Sequence, residues 1–98
     1  KLPPFGYFMV VGIDRMSLFN DVMGPHYADE ILEKTGQRLR QICGDAGFVA
    51  RLDGDVYGLL FLQCPHNEMA AVAKDILSNF YNVPLQLSVG PIGVGISI

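Results

Sequence analysis

Apolar positions change their spacing from one segment of the chain to the next, and these changes predict its elements. Residues 5–13 form an almost unbroken run rich in aromatic and β-branched residues, which predicts a strand covered on both faces and central in its sheet. Apolar residues at helical spacing then predict a short helix over 15–23, ended by Gly24, and a longer helix from Pro25 to about Cys43. The chain is therefore predicted to begin with a strand followed by two helices.

The second half of the chain alternates short apolar runs with turn signals. Its predicted elements are strand 48–52, strand 56–63, helix 67–81, strand 85–89 and strand 92–98. The Asp53-Gly54-Asp55 tip favours a hairpin between the first two strands, and Gly90-Pro91 favours a turn between the last two. Cys64-Pro65-His66-Asn67 breaks the chain ahead of the helix, which Asn67 can cap.

The order β-α-α-β-β-α-β-β predicts an α+β fold. We expect a two-layer, ferredoxin-like sandwich, in which helices cover one face of a mainly antiparallel sheet around a central βααβ hairpin unit. The 98 residues are enough for one domain, 1–98. Half of them are apolar and the mean hydropathy is +0.30, so we expect a flanking segment, a neighbouring domain or a second copy to cover part of the surface.

Charge and cysteine content exclude several classes of function. The net charge of -3 and the pI of about 5.1 argue against a nucleic-acid binder, which needs a basic surface. Cys43 and Cys64 lack the spacing of a zinc site or a disulfide framework, and this is typical of reduced thiols in a cytoplasmic protein. No apolar run reaches the roughly 18 residues of a membrane span.

Polar residues interrupt the apolar pattern at three places. If the first strand lies beside the hairpin, Asp14 and Asp55 approach one another at one rim of the sheet, where carboxylates can hold Mg²⁺ together with phosphate oxygens. Gly54 would let a phosphate come close to the backbone. Asn20 and Asp29 offer an amide and a carboxylate, which complement the donors and acceptors of guanine.

Each of these residues also has an ordinary structural explanation. Asp29 can serve only the dipole of its helix, and Asn20 can be a helix cap. The Asp53-Gly54 dipeptide can be nothing more than a hairpin turn. The serines have no histidine and aspartate partners in the sequence pattern, so a nucleophilic triad is not supported.

Three stretches in order carry a resemblance that covers nearly the whole chain. IDRMSLFNDVMGPHYADEIL (13–32), VARLDGDVYGLLF (49–61) and GVGISI (93–98) resemble conserved stretches of the GGDEF domain, the diguanylate cyclase family of bacterial second-messenger signalling. The resemblance implies a nucleotidyl-cyclase or palm-like version of the predicted sandwich. It also implies that the chain is a fragment of a larger multidomain signalling protein.

The family's reaction condenses two GTP molecules into cyclic di-GMP across a dimer, with acids holding a divalent metal. By position, Asn20 and Asp29 match guanine-contacting residues, Gly54 matches the second glycine of the signature and Asp55 its first acid. The resemblance therefore implies a vestigial nucleotide site at these four residues. The signature hairpin reads DGDVY in place of GGDEF and consists of Arg51, Asp53, Gly54, Asp55, Val56 and Tyr57.

The departures from the family pattern fall on the groups that hold metal and phosphate. The metal-binding aspartate that closes the first strand falls on Gly12, although Asp14 is kept, and the signature's glutamate has become Val56. Its first glycine has become Asp53, which adds negative charge where a triphosphate would lie. The lysine expected after the first strand is Ser17. We therefore expect metal binding by Asp14 and Asp55 to be poor or lost, and no catalytic residues to remain.

The Arg-x-x-Asp of the family's product-inhibition site would fall on residues 44–47, which read Gly-Asp-Ala-Gly, so that site is predicted to be absent. The leading interpretation is an inactive regulatory or sensory module beside an EAL phosphodiesterase domain or a sensor domain in the same chain. It includes weak GTP binding, Mg²⁺ only with bound nucleotide, and a homodimer as a candidate assembly. One alternative is an active diguanylate cyclase that uses Asp14 and Asp55. Another is a pure dimerisation or protein-docking domain.

Overall fold

The elements follow the predicted order, with changes near the C-terminus. The computed structural model describes residues 6–62 and 66–98. The elements are β1 (Tyr7–Ile13), α1 (Met16–Met23), α2 (Pro25–Cys43), a 3₁₀ turn (Gly44–Ala46), β2 (Gly47–Asp53), β3 (Val56–Phe61), α3 (His66–Asn82), β4 (Leu85–Leu87), β5 (Gly90–Ile92) and β6 (Ile96–Ser97). The predicted strand start at residue 5, the strand end at residue 63, and residues 64–65 of the predicted break lie outside the described residues. The predicted break at His66-Asn67 and the predicted cap at Asn67 are wrong, because α3 already begins at His66.

The main sheet has four strands in the order β2-β3-β1-β6, and each neighbouring pair is antiparallel. Strand β3 lies between β1 and β2, and β1 lies between β3 and β6. The chain therefore forms two interleaved βαβ units, one through α1 and α2 and the other through α3. This is the predicted ferredoxin-like α+β sandwich.

The predicted last hairpin is wrong in its turn and in its second strand. Leu87 pairs with Gly90, so residues 88–89 form the turn and the Gly90-Pro91 dipeptide lies in β5. Gly90 has a φ of 126°, which glycine tolerates directly after a tight turn. Strand β5 pairs with β4 in a separate two-stranded sheet, whereas β6 crosses to the main sheet and pairs with β1.

Alternate residues of β1 and β3 build the core of the sandwich. Met9, Val11 and Ile13 of β1 are buried beside Tyr57 and Leu59 of β3, as the period of two in a strand requires. The helices complete this core with buried side chains that include Ile31, Leu39, Cys43, Ile76 and Phe80. Burial raises the pKa of the Cys43 thiol above its ordinary value.

The other face of the main sheet is apolar and exposed. Strand β1 is central, as predicted, but the expectation that both its faces are covered is wrong for the described residues, because Phe8 is 58% and Val10 is 46% exposed. Phe48 and Leu52 of β2 extend this apolar surface. We call these four side chains the open face. A contiguous exposed apolar patch of this kind is typical of an interaction surface.

Glycine at position 58 lets two of these side chains pack over the sheet. A Cβ atom at Gly58 would lie 2.8 Å from Phe8 Cζ and 3.0 Å from Leu52 Cδ1. The two side chains therefore occupy the space that any other residue at this position would need.

No helix of the described chain is long and apolar enough to cross a membrane.

Candidate functional site

The junction of α1 and α2 and the tip of the β2–β3 hairpin enclose a cleft of about 270 Å³. Asn20, Asp29, Gly54 and Asp55 all line it. These are the four residues matched to a vestigial nucleotide site, and they come from three separate parts of the sequence. We call this cavity the first cleft. The structure brings the four residues together, and their binding of a nucleotide stays a prediction.

The break between α1 and α2 positions Asn20 and Asp29. Gly24 has a φ of 91° and its N–H donates to the Asn20 carbonyl at 2.9 Å, while Ala28 N–H donates to the Gly24 carbonyl at 3.1 Å. Gly24, without a side chain, is the N-cap of α2, so Asn20 does not cap that helix. Asp29 lies beyond the first turn of α2, where a helix dipole has little remaining effect. Capping of α2 therefore does not explain Asn20, and the helix dipole does not explain Asp29.

The signature hairpin is fixed by backbone hydrogen bonds. Ile13 N–H donates to the Asp55 carbonyl at 3.0 Å, which ties the hairpin tip to β1. Gly54 N–H donates to Asp53 Oδ1 at 2.8 Å. The pairing register shifts between Arg51 and Asp53, as at a β-bulge. Asp53 thus satisfies the turn with its own carboxylate, and this takes up a backbone N–H that could otherwise bind an anion.

Gly12 and Val56, the two positions that the resemblance matches to family acids, are paired on neighbouring strands. Gly12 of β1 is directly opposite Val56 of β3. Because the next pair, Ile13 and Asp55, is joined by a hydrogen bond, Gly12 and Val56 form the closer, non-hydrogen-bonded kind of pair, with Cα atoms about 4.5 Å apart. A Cβ atom at Gly12 would meet no atom within 4 Å. The space for a carboxylate remains, but neither position supplies an oxygen ligand.

Asp14 does not reach the first cleft. Its N–H donates to the Gly95 carbonyl at 2.9 Å, and its Oδ1 accepts a 2.6 Å hydrogen bond from Ser97 Oγ. Ser97 is opposite Gly12, so the Asp14 carboxylate lies on the sheet face away from the helices. Asp55 lines a cleft that the helices form. The two carboxylates expected to approach one another therefore serve different faces.

The donor set present does not fit the family's metal ion. Within 6–62 and 66–98, no group of three histidine, cysteine or acidic side chains is placed to hold a metal. Divalent magnesium prefers carboxylate and phosphate oxygens in near-octahedral geometry. Of the acids near the hairpin, Asp53 caps its own turn and Asp14 bonds Ser97, which leaves Asp55 as the single carboxylate lining the first cleft from the hairpin.

A second cleft of about 400 Å³ continues from the first along α2. The two share Asp29 and Leu32 in their linings, and the second also includes Arg40, Arg51 and Tyr57. Of these, Asp29, Arg51 and Tyr57 are predicted from the sequence as site residues, and Arg40 is not. The signal that could have found Arg40 is the helical spacing of residues 29, 33, 36, 37 and 40, which places them on one face of α2.

Tyr57 forms part of the wall of the second cleft. It is 2% exposed, and its hydroxyl donates a hydrogen bond to the Leu32 carbonyl. Burial raises the pKa of Tyr57, while the positive charges of Arg51 and Arg40 act in the opposite direction. The last residue of the signature hairpin is therefore a core residue that also lines the site.

The segment matched to the product-inhibition site has no room for the usual carboxylate without movement. Gly44 has a φ of 55°, which favours glycine. A Cβ atom at Gly47 would lie 2.9 Å from the ring of Phe61. An arginine and an aspartate at these two positions would thus meet backbone strain at the first and a steric clash at the second.

The sandwich and its polar hairpin beside the α1–α2 junction define a domain of the cyclase-like class. The family model described as "Diguanylate cyclase, GGDEF domain" matches residues 4–98. The chain belongs to the GGDEF domain family.

Relatives support this assignment in sequence and in structure. The uncharacterized protein YhcK of Bacillus subtilis is 30% identical over 89 residues, which are 90% of this chain and 25% of YhcK. The GGDEF domain of YfiN, or TpbB, from Pseudomonas aeruginosa is 25% identical with a TM-score of 0.84, and the match covers 93% of this chain and 57% of that one.

An EAL/GGDEF domain protein from M. capsulatus is 26% identical with a TM-score of 0.81, over 94% of this chain and 59% of that one. The chain thus spans about a quarter of the length of YhcK and less than two thirds of either solved relative.

Proposed function

We propose that this domain is a catalytically inactive GGDEF domain that acts as a regulatory or sensory module in cyclic di-GMP signalling. The observation that carries the proposal is the facing pair Gly12 and Val56. Both stand where the family has an acid, and neither offers a ligand to a metal ion. Phosphoryl-transfer catalysis depends on metal ions that neutralise the developing charge, so we expect no turnover.

The hairpin tip adds a second obstacle to triphosphate binding. Asp53 occupies the position of a signature glycine, and its carboxylate accepts the Gly54 N–H. Asp55 lines the first cleft close by. Without a bridging cation, two carboxylates repel an incoming phosphate. The phosphate side of the family's site is therefore the part that is lost.

The guanine side of the site is the part that is retained. Asn20 and Asp29 line the same cleft, and neither side chain makes a hydrogen bond to another described residue. A guanine base could pair its donors with the Asp29 carboxylate and its acceptor with the Asn20 amide. We infer that GTP binds here without turnover and that such binding signals to a neighbouring domain.

The domain's setting is part of this proposal. The relative from M. capsulatus is an EAL/GGDEF domain protein, and this supports an EAL phosphodiesterase domain in the same polypeptide as the partner that is regulated. Because GTP and cyclic di-GMP are nucleotides of the bacterial cytoplasm, the proposed function places the domain there.

The decisive experiment is a cyclase assay with GTP and either Mg²⁺ or Mn²⁺, followed by separation of the nucleotides. We expect no cyclic di-GMP. Clear turnover that is lost in Asp55→Asn would establish the alternative, an active cyclase. Calorimetric titration with GTP then tests the sensor function, and we expect binding that Asn20→Ala and Asp29→Ala both abolish.

A second candidate function is that of a docking domain without nucleotide affinity. The open face favours it, because Phe8, Val10, Phe48 and Leu52 present a continuous apolar surface. A GTP titration without heat, together with self-association that Phe48→Asp prevents in sedimentation, would support this function over the sensor function.

A further inference from the structure

The two clefts lie next to each other along α2, and together they form a groove with opposite charges at its ends. Asp29 and Leu32 line both cavities, so the two clefts adjoin each other at these residues. From Asp29 to Arg40 is a distance of about 16 Å along the helix axis, at 1.5 Å per residue. The acidic end adjoins Asn20, and the basic end lies between Arg40 of α2 and Arg51 of β2.

The arginines at the basic end have no partner within the described residues. Neither the Arg40 nor the Arg51 guanidinium group makes an ion pair or a hydrogen bond to a described residue. Arg38 of the same helix offers a contrast, because its guanidinium donates to the Val83 and Pro84 carbonyls and stacks 5.2 Å from the Phe80 ring centroid. Arg38 is thus a structural residue, whereas Arg40 and Arg51 keep their donors free.

The groove is shaped so that both guanidinium groups can meet one ligand. Gly36 has no side chain, and a Cβ atom there would lie 3.2 Å from the ring of Tyr57 and 3.5 Å from Arg40 Nη1. The floor between the arginines is therefore the buried Tyr57 ring. Glu33 of α2 also lines this cleft, and its Oε1 accepts a hydrogen bond from Gln37 Nε2 at 3.3 Å.

We propose that this groove binds a guanine nucleotide with its base at Asn20 and Asp29 and its phosphate at Arg40 and Arg51, without a metal ion. This inference rests on the proposed function, since it assumes that the guanine side of the site is retained. The phosphate then turns away from Asp53 and Asp55 and toward the positive end of the groove. Guanidinium groups bind phosphate oxygens through paired charge-assisted hydrogen bonds, which need no bridging cation.

Titration calorimetry in EDTA with guanosine and with GMP tests the two ends of the groove separately. We expect GMP to bind about tenfold more tightly than guanosine, because charge-assisted hydrogen bonds at exposed side chains lie at the low end of their range. Arg40→Ala and Arg51→Ala should each reduce the affinity for GMP toward that for guanosine. Lys34→Ala is the matched control, since Lys34 lies on α2 and lines neither cleft, and it should change neither affinity.

The outcomes separate this inference from the function on which it rests. Binding of guanosine that Asp29→Ala abolishes, with no gain from the phosphate, would overturn the inference and leave the guanine site standing. A gain from the phosphate that the arginine variants do not reduce would also overturn it. If neither ligand binds, both proposals fail. Equal thermal unfolding curves for the wild type and the arginine variants would show that lost binding is not lost folding.

Discussion

Restoring the two missing acids tests whether their loss explains the proposed lack of activity. The variant Gly12→Asp/Val56→Glu places two carboxylates on neighbouring strands at directly opposed positions. The structure has room for the first, because nothing lies within 4 Å of a Cβ atom at Gly12. The matched control is Gly12→Asn/Val56→Gln, which has nearly the same shape and no charge.

The size of the effect follows from the geometry. Opposed side chains of an antiparallel pair have Cβ atoms about 5 Å apart. At that distance two unit charges repel by about 1 kcal/mol in water and about 3 kcal/mol at the effective dielectric constant of a protein surface. We therefore expect the acidic variant, in EDTA, to have a free energy of unfolding about 1–3 kcal/mol below that of the amide control.

A divalent cation should reverse this difference. If the two acids hold Mn²⁺, a concentration of one hundred times the dissociation constant stabilises the folded state by about 2.7 kcal/mol. For a domain of this size each kcal/mol shifts the midpoint of thermal unfolding by about 4–8 °C. Thermal unfolding followed by circular dichroism, with and without Mn²⁺, measures both effects on all three proteins.

Two results would refute this reasoning. Equal stabilisation of the wild type by Mn²⁺ would mean that the present residues already hold a metal ion. No response in the acidic variant, with the same stability as the amide control, would mean that positions 12 and 56 do not form the metal side of the site. Either result would remove the observation on which the proposed function depends.

Three further predictions concern stability. Tyr57→Phe removes the hydrogen bond to the Leu32 carbonyl and should lower the free energy of unfolding by about 1 kcal/mol in urea titrations; an unchanged urea midpoint would contradict this. Burial raises the pKa values of Cys43 and Tyr57, so the unfolded chain loses these protons first and stability should fall as the pH rises above about 9. Cys43→Ala should flatten that fall, and an identical pH profile would count against it. Leu59→Ala should cost about 2–5 kcal/mol because Leu59 is fully buried, whereas Val22→Ala at an exposed site should cost less than about 0.5 kcal/mol.

The sequence predicts the layers of the fold well because its apolar spacing is regular over long elements. The helical spacing of 25–43 predicts a long helix, and the aromatic and β-branched residues of 5–13 predict a strand, although Phe8 and Val10 are exposed on one face of that strand. The sequence predicts the last turn at Gly90-Pro91, because this dipeptide is a turn signal in any context. Only the pairing of Leu87 with Gly90 shows that the turn comes two residues earlier. Local composition does not determine such a register.

The sequence predicts that Asp14 and Asp55 lie on neighbouring strands, but it does not predict on which face of the sheet each carboxylate lies. Both acids lie at the rim where β1 meets the hairpin, as expected from neighbouring strands. In a strand, however, successive side chains point to opposite faces. Asp14 bonds Ser97 on one face, and Asp55 lines the first cleft on the other. A sheet register is needed before two carboxylates can be placed on one metal ion.

The signature hairpin can keep its shape without its chemistry because the fold depends on it. Its last residue, Tyr57, is buried and bonds α2, and its Asp55 carbonyl accepts the N–H of Ile13. Losing the hairpin would therefore disrupt the central strand pair, whereas losing the acids disrupts only metal binding. Two opposed carboxylates that hold no metal ion repel each other and destabilise the sheet. Once one of the two acids is lost, the remaining acid no longer stabilises the fold through a bound metal ion. The absence of an acid at both Gly12 and Val56 is the pattern we expect under the proposed function, in which catalysis is lost and the fold is kept.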